Sequence, residues 1–151
     1  LAKKFLNSYD PVTLETIKED IVQTYGGDQL AKILERPLDD QVHPYVAGVH
    51  EYESGSTDVG DVGYAAPTLN LNVSTCCIGN VGHTWQMTAQ AGSVLGHKGL
   101  LTAAKALALS TIRTMESPEV MEAAKAEFVA KTGGVYHCPL PDDVKPPVGR
   151  Y

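Results

Sequence analysis

The residues best suited to chemistry lie between Gly55 and Gly99. Gly55-Ser56-Thr57-Asp58-Val59-Gly60-Asp61 comes first, then Gly82-His83-Thr84-Trp85-Gln86, then Gly96-His97-Lys98-Gly99. Histidines and aspartates stand there beside glycines, where a chain changes direction and side chains converge. His83 follows an expected strand end and a glycine, a place where α/β enzymes present catalytic groups because the sheet fixes them. A neutral imidazole there can ligate a metal or act as a base; the alternative is a ring satisfied by backbone hydrogen bonds. Asp58 and Asp61, three apart, share a face of one helical turn. They suit cation binding, orientation of a metal-binding histidine, or helix capping. His97 and Lys98 open a long helix, where a cation opposes the dipole and so needs a reason. That reason is a substrate carboxylate or an acid elsewhere in the fold.

Other polar residues carry weaker signals. His50-Glu51-Tyr52-Glu53 puts an imidazole near carboxylates, but reads as surface polar sequence, as do His43 and His137. Of the three cysteines, Cys76 and Cys77 are adjacent, a pair that bonds only under severe strain, and their apolar surroundings mark them as inert buried thiols. Cys138 has no second Cys-x-x-Cys or spaced histidine pair to complete a zinc knuckle. There is no Gly-x-Ser-x-Gly, phosphate loop, His-Glu-x-x-His or dinucleotide fingerprint.

The elements that must position these residues are readable in part. Asp10 and Pro11 open a helix whose Leu14, Ile17, Ile21, Val22 and Tyr25 repeat at helical spacing, and Gly26-Gly27 ends it. A short helix is expected over Gln29–Leu34, and residues 37–56 read as a long ordered loop. Asp58 to Ala65 reads as a short helix under a Thr57 or Ser56 cap, ended by Pro67. Thr68 to Ile78 alternates Leu69, Leu71, Val73 and Thr75 with Asn70, Asn72 and Ser74, a period of two that predicts a strand with one buried face. Ser93 caps a long helix with an apolar stripe of Leu100, Leu101, Ala104, Leu107, Ala108 and Ile112. Ser117-Pro118-Glu119 starts another, with Val120, Ala124 and Phe128 on its inner face and Gly133-Gly134 closing it. The tail from Pro139 to Tyr151 is Pro-rich and reads as an extended strap or a mobile end. Few strands are present for the apolar helices to cover. The domain is either mostly helical around a small sheet or, the reading favoured here, an α/β fold with helices packed on a small sheet that missing strands complete.

Composition narrows the class. The chain has 151 residues, 43% of them hydrophobic, enough for one domain with its own core. Eighteen acidic against twelve basic residues give a net charge of −6, which argues against nucleic-acid binding. No apolar run reaches the roughly 20 residues of a membrane span. The odd cysteine count suits a reducing cytoplasm, and a start at Leu1 within a helix-like segment suggests a piece of something longer.

Three stretches together carry a family resemblance: Gly55 to Val62 with Pro67-Thr68, His83-Thr84-Trp85-Gln86, and Gly96-His97-Lys98-Gly99-Leu100 with Ala103-Ala104-Lys105. They resemble the C-terminal catalytic segment of amidohydrolases of the p-aminobenzoyl-glutamate hydrolase type, in the aminoacylase/carboxypeptidase-G group of metallopeptidases. Tyr136-His137-Cys138-Pro139-Leu140-Pro141 matches as well. Tyr64 stands where the family usually has tryptophan, and Val81-Gly82 replaces a proline-containing turn. The resemblance implies 1–54 as a lead-in after an inserted domain, 55–135 as the C-terminal part of the catalytic domain, and 136–151 as a tail. It implies hydrolysis of N-acyl or N-aroyl amino acids by two divalent ions, zinc or manganese, with the catalytic base and most ligands in a missing N-terminal half. His83 is the implied metal ligand; Ser56, Asp58, Asp61 and His97 are expected to line the substrate pocket or orient the ligands. The chain alone would then be inactive and hold metal weakly, and the full enzyme would be a homo- or hetero-oligomer. A non-catalytic scaffold or interaction module retaining the family fold is the competing reading.

Overall fold

A computed structural model describes residues 1–46, 57, 59–141, 143–145 and 148. The helices run in order α1 (Ala2–Leu6), α2 (Pro11–Tyr25), α3 (Leu30–Glu35), α4 (Val59–Ala65), α5 (Trp85–Ala91), α6 (Val94–Met115) and α7 (Pro118–Thr132). Two compact units emerge, Leu1–His50 with Leu71–Thr111, and Glu51–Asn70 with Ile112–Tyr151.

The expected α/β arrangement of helices on a small sheet is overturned. Among the described residues the regular elements are helical and none is a strand. Thr68 to Ile78 carries the alternation of a strand, yet alternation only chooses faces; a strand exists by pairing its N–H and C=O groups with a neighbour. No described segment supplies that ladder. Leu69 and Leu71 are accordingly exposed, at 74% and 42%, and the Ser74 carbonyl packs against Gly99 of α6 instead.

Helix boundaries follow local chemistry. The Asp10 carboxylate accepts N–H bonds from Val12 (3.0 Å) and Thr13 (3.1 Å), with Pro11 in the first turn. Gly26, at φ +91°, ends α2. The short helix expected at Gln29 forms as α3, after a tight 3₁₀ turn at Gly27–Gln29. Thr57 Oγ1 accepts from Val59 N–H ahead of α4, and Ser93 Oγ accepts from Leu95 N–H ahead of α6. Ser117 makes no side-chain cap; α7 starts on Pro118 and Glu119 alone and ends at left-handed Gly133.

The first unit has a small core. Leu6 and Tyr9 meet Ile17 and Ile21 of α2, Ile33 of α3 and Cys77. Ile17 and Ile21 are one helical turn apart, so a single stripe of α2 serves this core, while Val22 and Tyr25 stay exposed. A Lys3–Glu35 ion pair (2.5 Å) links α1 to α3 at the surface. The stripe expected on α6 is not its buried face. Leu100, Leu101, Leu107 and Ile112 are 49–64% exposed, and the buried α6 residues are Gly96 and Gly99. Backbone approach is the reason. A Cβ at Gly99 would sit 2.4 Å from Ser74 O, and one at Gly96 2.6 Å from the Gln90 and Ala91 carbonyls.

In the second unit, α4 and α7 bury no residue fully. Ala124 and Phe128 of α7 are half-buried, whereas Val120, expected on the same inner face, is 48% exposed.

Two outcomes follow from these contacts. Gly99→Ala places a methyl against backbone that has no rotamer to escape through, and should lower stability by about 1–3 kcal/mol in urea unfolding. The Asp10 carboxyl is held below its usual pKa by the Thr13 hydroxyl, then the Thr13 and Val12 N–H groups. A carboxyl depressed by folding stabilises the fold above its unfolded pKa, and the benefit is lost as pH falls through the folded value. Asp10→Ala should therefore melt below wild type at pH 7, and the gap should close as pH falls below about 4.

Candidate functional site

His83 sits on the turn between the Thr68–Ile78 segment and α5, and it is exposed. Its backbone is left-handed, φ +58°, the only non-glycine among the described residues with positive φ. A residue with a Cβ rarely adopts that conformation, yet Gly82 next to it does not take the strain, since its φ is not positive. The ring nitrogens have no hydrogen-bond partner among the described residues, so a donor is free for an outside group.

A buried polar circuit brackets this turn. Val81 N–H donates to the Tyr9 hydroxyl (2.9 Å), which donates to Asn80 Oδ1 (3.3 Å). The same Oδ1 accepts from Gln90 Nε2 (2.6 Å), while Gln90 Oε1 accepts from Cys77 N–H (2.8 Å). Gln90 has no exposed surface, and Tyr9 is 7% exposed. On the far side of His83, the Thr84 hydroxyl donates to Val81 O (2.8 Å) and accepts from Met87 N–H (3.3 Å), capping α5. Gln86 Nε2 donates to Ser8 O (3.3 Å). Gly79, at φ +77°, lets the turn close on α2, because a Cβ there would lie 2.4 Å from Ile17 Cγ2.

Reading the sequence assigned no role to Tyr9, Asn80, Gln86 or Gln90. The available signal was Gln86 and Gln90 four apart on a short helix, hence on one face; what placed that face inward was the meeting with Tyr9, some seventy residues away in sequence.

His97 is exposed in the first turn of α6, its N–H bonded to Ser93 O (3.0 Å). Lys98 lines a cleft of about 350 Å³ with Pro37, Leu38, Val94 and Leu95. Asp61 belongs to the second unit and stands near Tyr136, whose phenol is pushed up by lost solvation, a hydrogen bond to Cys138 and the Asp61 carboxylate. Ser56, Asp58, His50, Glu51 and Glu53 lie outside the described residues. Of the weaker histidines, His43 pairs with Asp39 (2.8 Å) at the surface and His137 is exposed. Burial raises the Cys76 and Cys77 thiols, and Cys76 adds to the effect on Cys77. Protonated thiols are poor ligands and poor nucleophiles.

Among the described residues no group of three His, Cys, Asp or Glu converges to hold a metal ion. The exposed His83 imidazole can supply a single nitrogen donor. A catalytic zinc takes three protein ligands.

Comparison with known proteins gives the class. The two relatives that follow are a hydrolase and a dipeptidase of one peptidase family, and the chain belongs to that amidohydrolase and peptidase family over the matched stretch. It is 34% identical over 113 residues, 74% of its length, to the B subunit of the p-aminobenzoyl-glutamate hydrolase of Escherichia coli (strain K12). It is 34% identical over 80 residues, 52% of its length, to the Xaa-Arg dipeptidase of Mus musculus. The chain spans 23% and 18% of these proteins' lengths. No protein-family signature and no solved structure matches it.

Thr84 supports the turn from one side by a cap that serine can also make. Thr84→Ala should cost about 0.5–2 kcal/mol in chemical unfolding, and Thr84→Ser should restore most of it.

Proposed function

We propose that the chain is the C-terminal segment of a metal-dependent amidohydrolase that cleaves the amide bond of N-acyl or N-aroyl amino acids such as p-aminobenzoyl-glutamate. The observation that carries this reading is the 34% identity over 74% of the chain to one component of a p-aminobenzoyl-glutamate hydrolase. The exposed, unpartnered His83 ring on a strained turn supports it, since strain at a functional residue is kept where the surroundings hold it.

In this reading His83 is a ligand to a divalent centre, zinc or manganese, and the remaining ligands and the general base come from the rest of the protein. Bound there, a pair of such ions supplies polarisation of the amide carbonyl and a water of lowered pKa. The chain's own part is to present the imidazole. Asp61, and Ser56, Asp58 and His97 with it, line the substrate pocket or orient the ligands. The exposed Leu100, Leu101, Leu107 and Leu109 of α6 are then surface that the rest of the protein covers, because apolar area of this kind gains about 25 cal/mol per Å² when removed from water. The protein acts in the cytoplasm as an oligomer on a small substrate, and neither nucleic acid nor membrane takes part.

The test uses the complete reading frame. The full protein should hydrolyse p-aminobenzoyl-glutamate with added zinc or manganese, and the 151-residue chain alone should not. His83→Ala in the full protein should reduce kcat/KM by more than about 100-fold, beyond what an outer partner of a ligand costs, and lower metal content with the circular dichroism unchanged. Turnover by the isolated chain would falsify the segment reading. Wild-type metal content in His83→Ala would strike His83 from the ligands.

A further inference from the structure

Strain falls on His83 although a glycine precedes it. Had the turn been selected only for tightness, Gly82 would carry the positive φ at little cost. The left-handed backbone sets the direction in which the imidazole leaves the turn, so whatever holds φ there also aims the ring. Backbone strain at a single residue persists only where neighbouring contacts over-determine it.

Those contacts reach the residues just before His83. Tyr9 is the hub, one phenolic oxygen that accepts from Val81 N–H and donates to Asn80 Oδ1. Gln90 closes the circuit from α5 by bonding Asn80 and Cys77 at once. Asn80 N–H returns to Cys77 O (3.2 Å), and Ile78 N–H is held by Pro37 O (3.0 Å). Every buried side-chain polar atom among the described residues is paired, so a shift of the turn breaks bonds that are already made. Thr84 locks the exit through Val81 O.

We infer that Tyr9, through Asn80 and Gln90, is a positioning residue that fixes the left-handed turn and thereby aims the His83 imidazole. Its consequence for metal binding rests on the reading of His83 as a ligand; the positioning itself does not.

Tyr9→Phe removes the hydroxyl and keeps the ring that fills the core. In the 151-residue chain, Val81 amide exchange should speed up at least about tenfold, and the His83 backbone coupling and Cα shift should leave left-handed values. Amide exchange within α6 should be unaltered, which a general loss of stability would not allow. Val81 exchange within about twofold of wild type, or faster exchange with His83 signals unmoved, overturns the inference. Should Tyr9→Phe fail to fold, Asn80→Ala, which removes the shared acceptor, is read by the same two signals. In the full protein, zinc content separates the two ideas. Loss of zinc in both His83→Ala and Tyr9→Phe supports positioning of a ligand. Normal zinc in His83→Ala with shifted His83 signals in Tyr9→Phe sinks the ligand reading and leaves the positioning standing.

Discussion

One buried amide side chain holds the first unit together around its polar centre. Gln90 has no exposed surface, and both ends of its amide are used, Oε1 by the Cys77 backbone and Nε2 by Asn80. Burying an amide without partners costs about 1–3 kcal/mol, so this placement is tolerable only because the turn before α5 meets it from both sides. Tyr9 extends the same circuit to the link between α1 and α2. The short helices of this unit have little apolar area of their own to bury. Their mutual arrangement therefore leans on a polar network that is satisfied as a whole, the condition under which such a network specifies one structure.

Glycine sets the other constraint. At Gly96, Gly99 and Gly79 the missing Cβ allows backbone, or a core isoleucine, to come closer than any side chain permits. The two α6 glycines thus decide which face of that helix turns inward, and Leu100, Leu101 and Leu107 are left outside. An apolar stripe read as core from spacing is here a surface. That inversion has a simple cause: spacing shows which residues share a face, whereas contact with a neighbouring element decides which face is covered.

Chemistry and strain coincide at His83. His83, proposed above as a metal ligand, is the non-glycine held left-handed among the described residues, and its ring is exposed without a hydrogen-bond partner there. Among the described residues no three His, Cys, Asp or Glu side chains converge to hold a metal ion, and the chain spans less than a quarter of its relatives' lengths. Depressed carboxyls serve caps and surface pairs, as at Asp10 and Asp40, and the buried thiols are raised toward inertness.

By itself the sequence determined what depends on neighbours within a few residues. The Asp10 cap with Pro11, the Gly26 stop, the Ser93 cap and the left-handed Gly133 end are set by local hydrogen bonds and φ preferences. So is family membership, since residue identity carries it. The tertiary structure decided what needs a distant partner. Thr68 to Ile78 has a strand's alternation but no described backbone to pair with, so it remains irregular. The circuit of Tyr9, Asn80 and Gln90 joins residues from both ends of the first unit, and no window along the chain contains it. Periodicity is a property of one segment, while burial and pairing are properties of two.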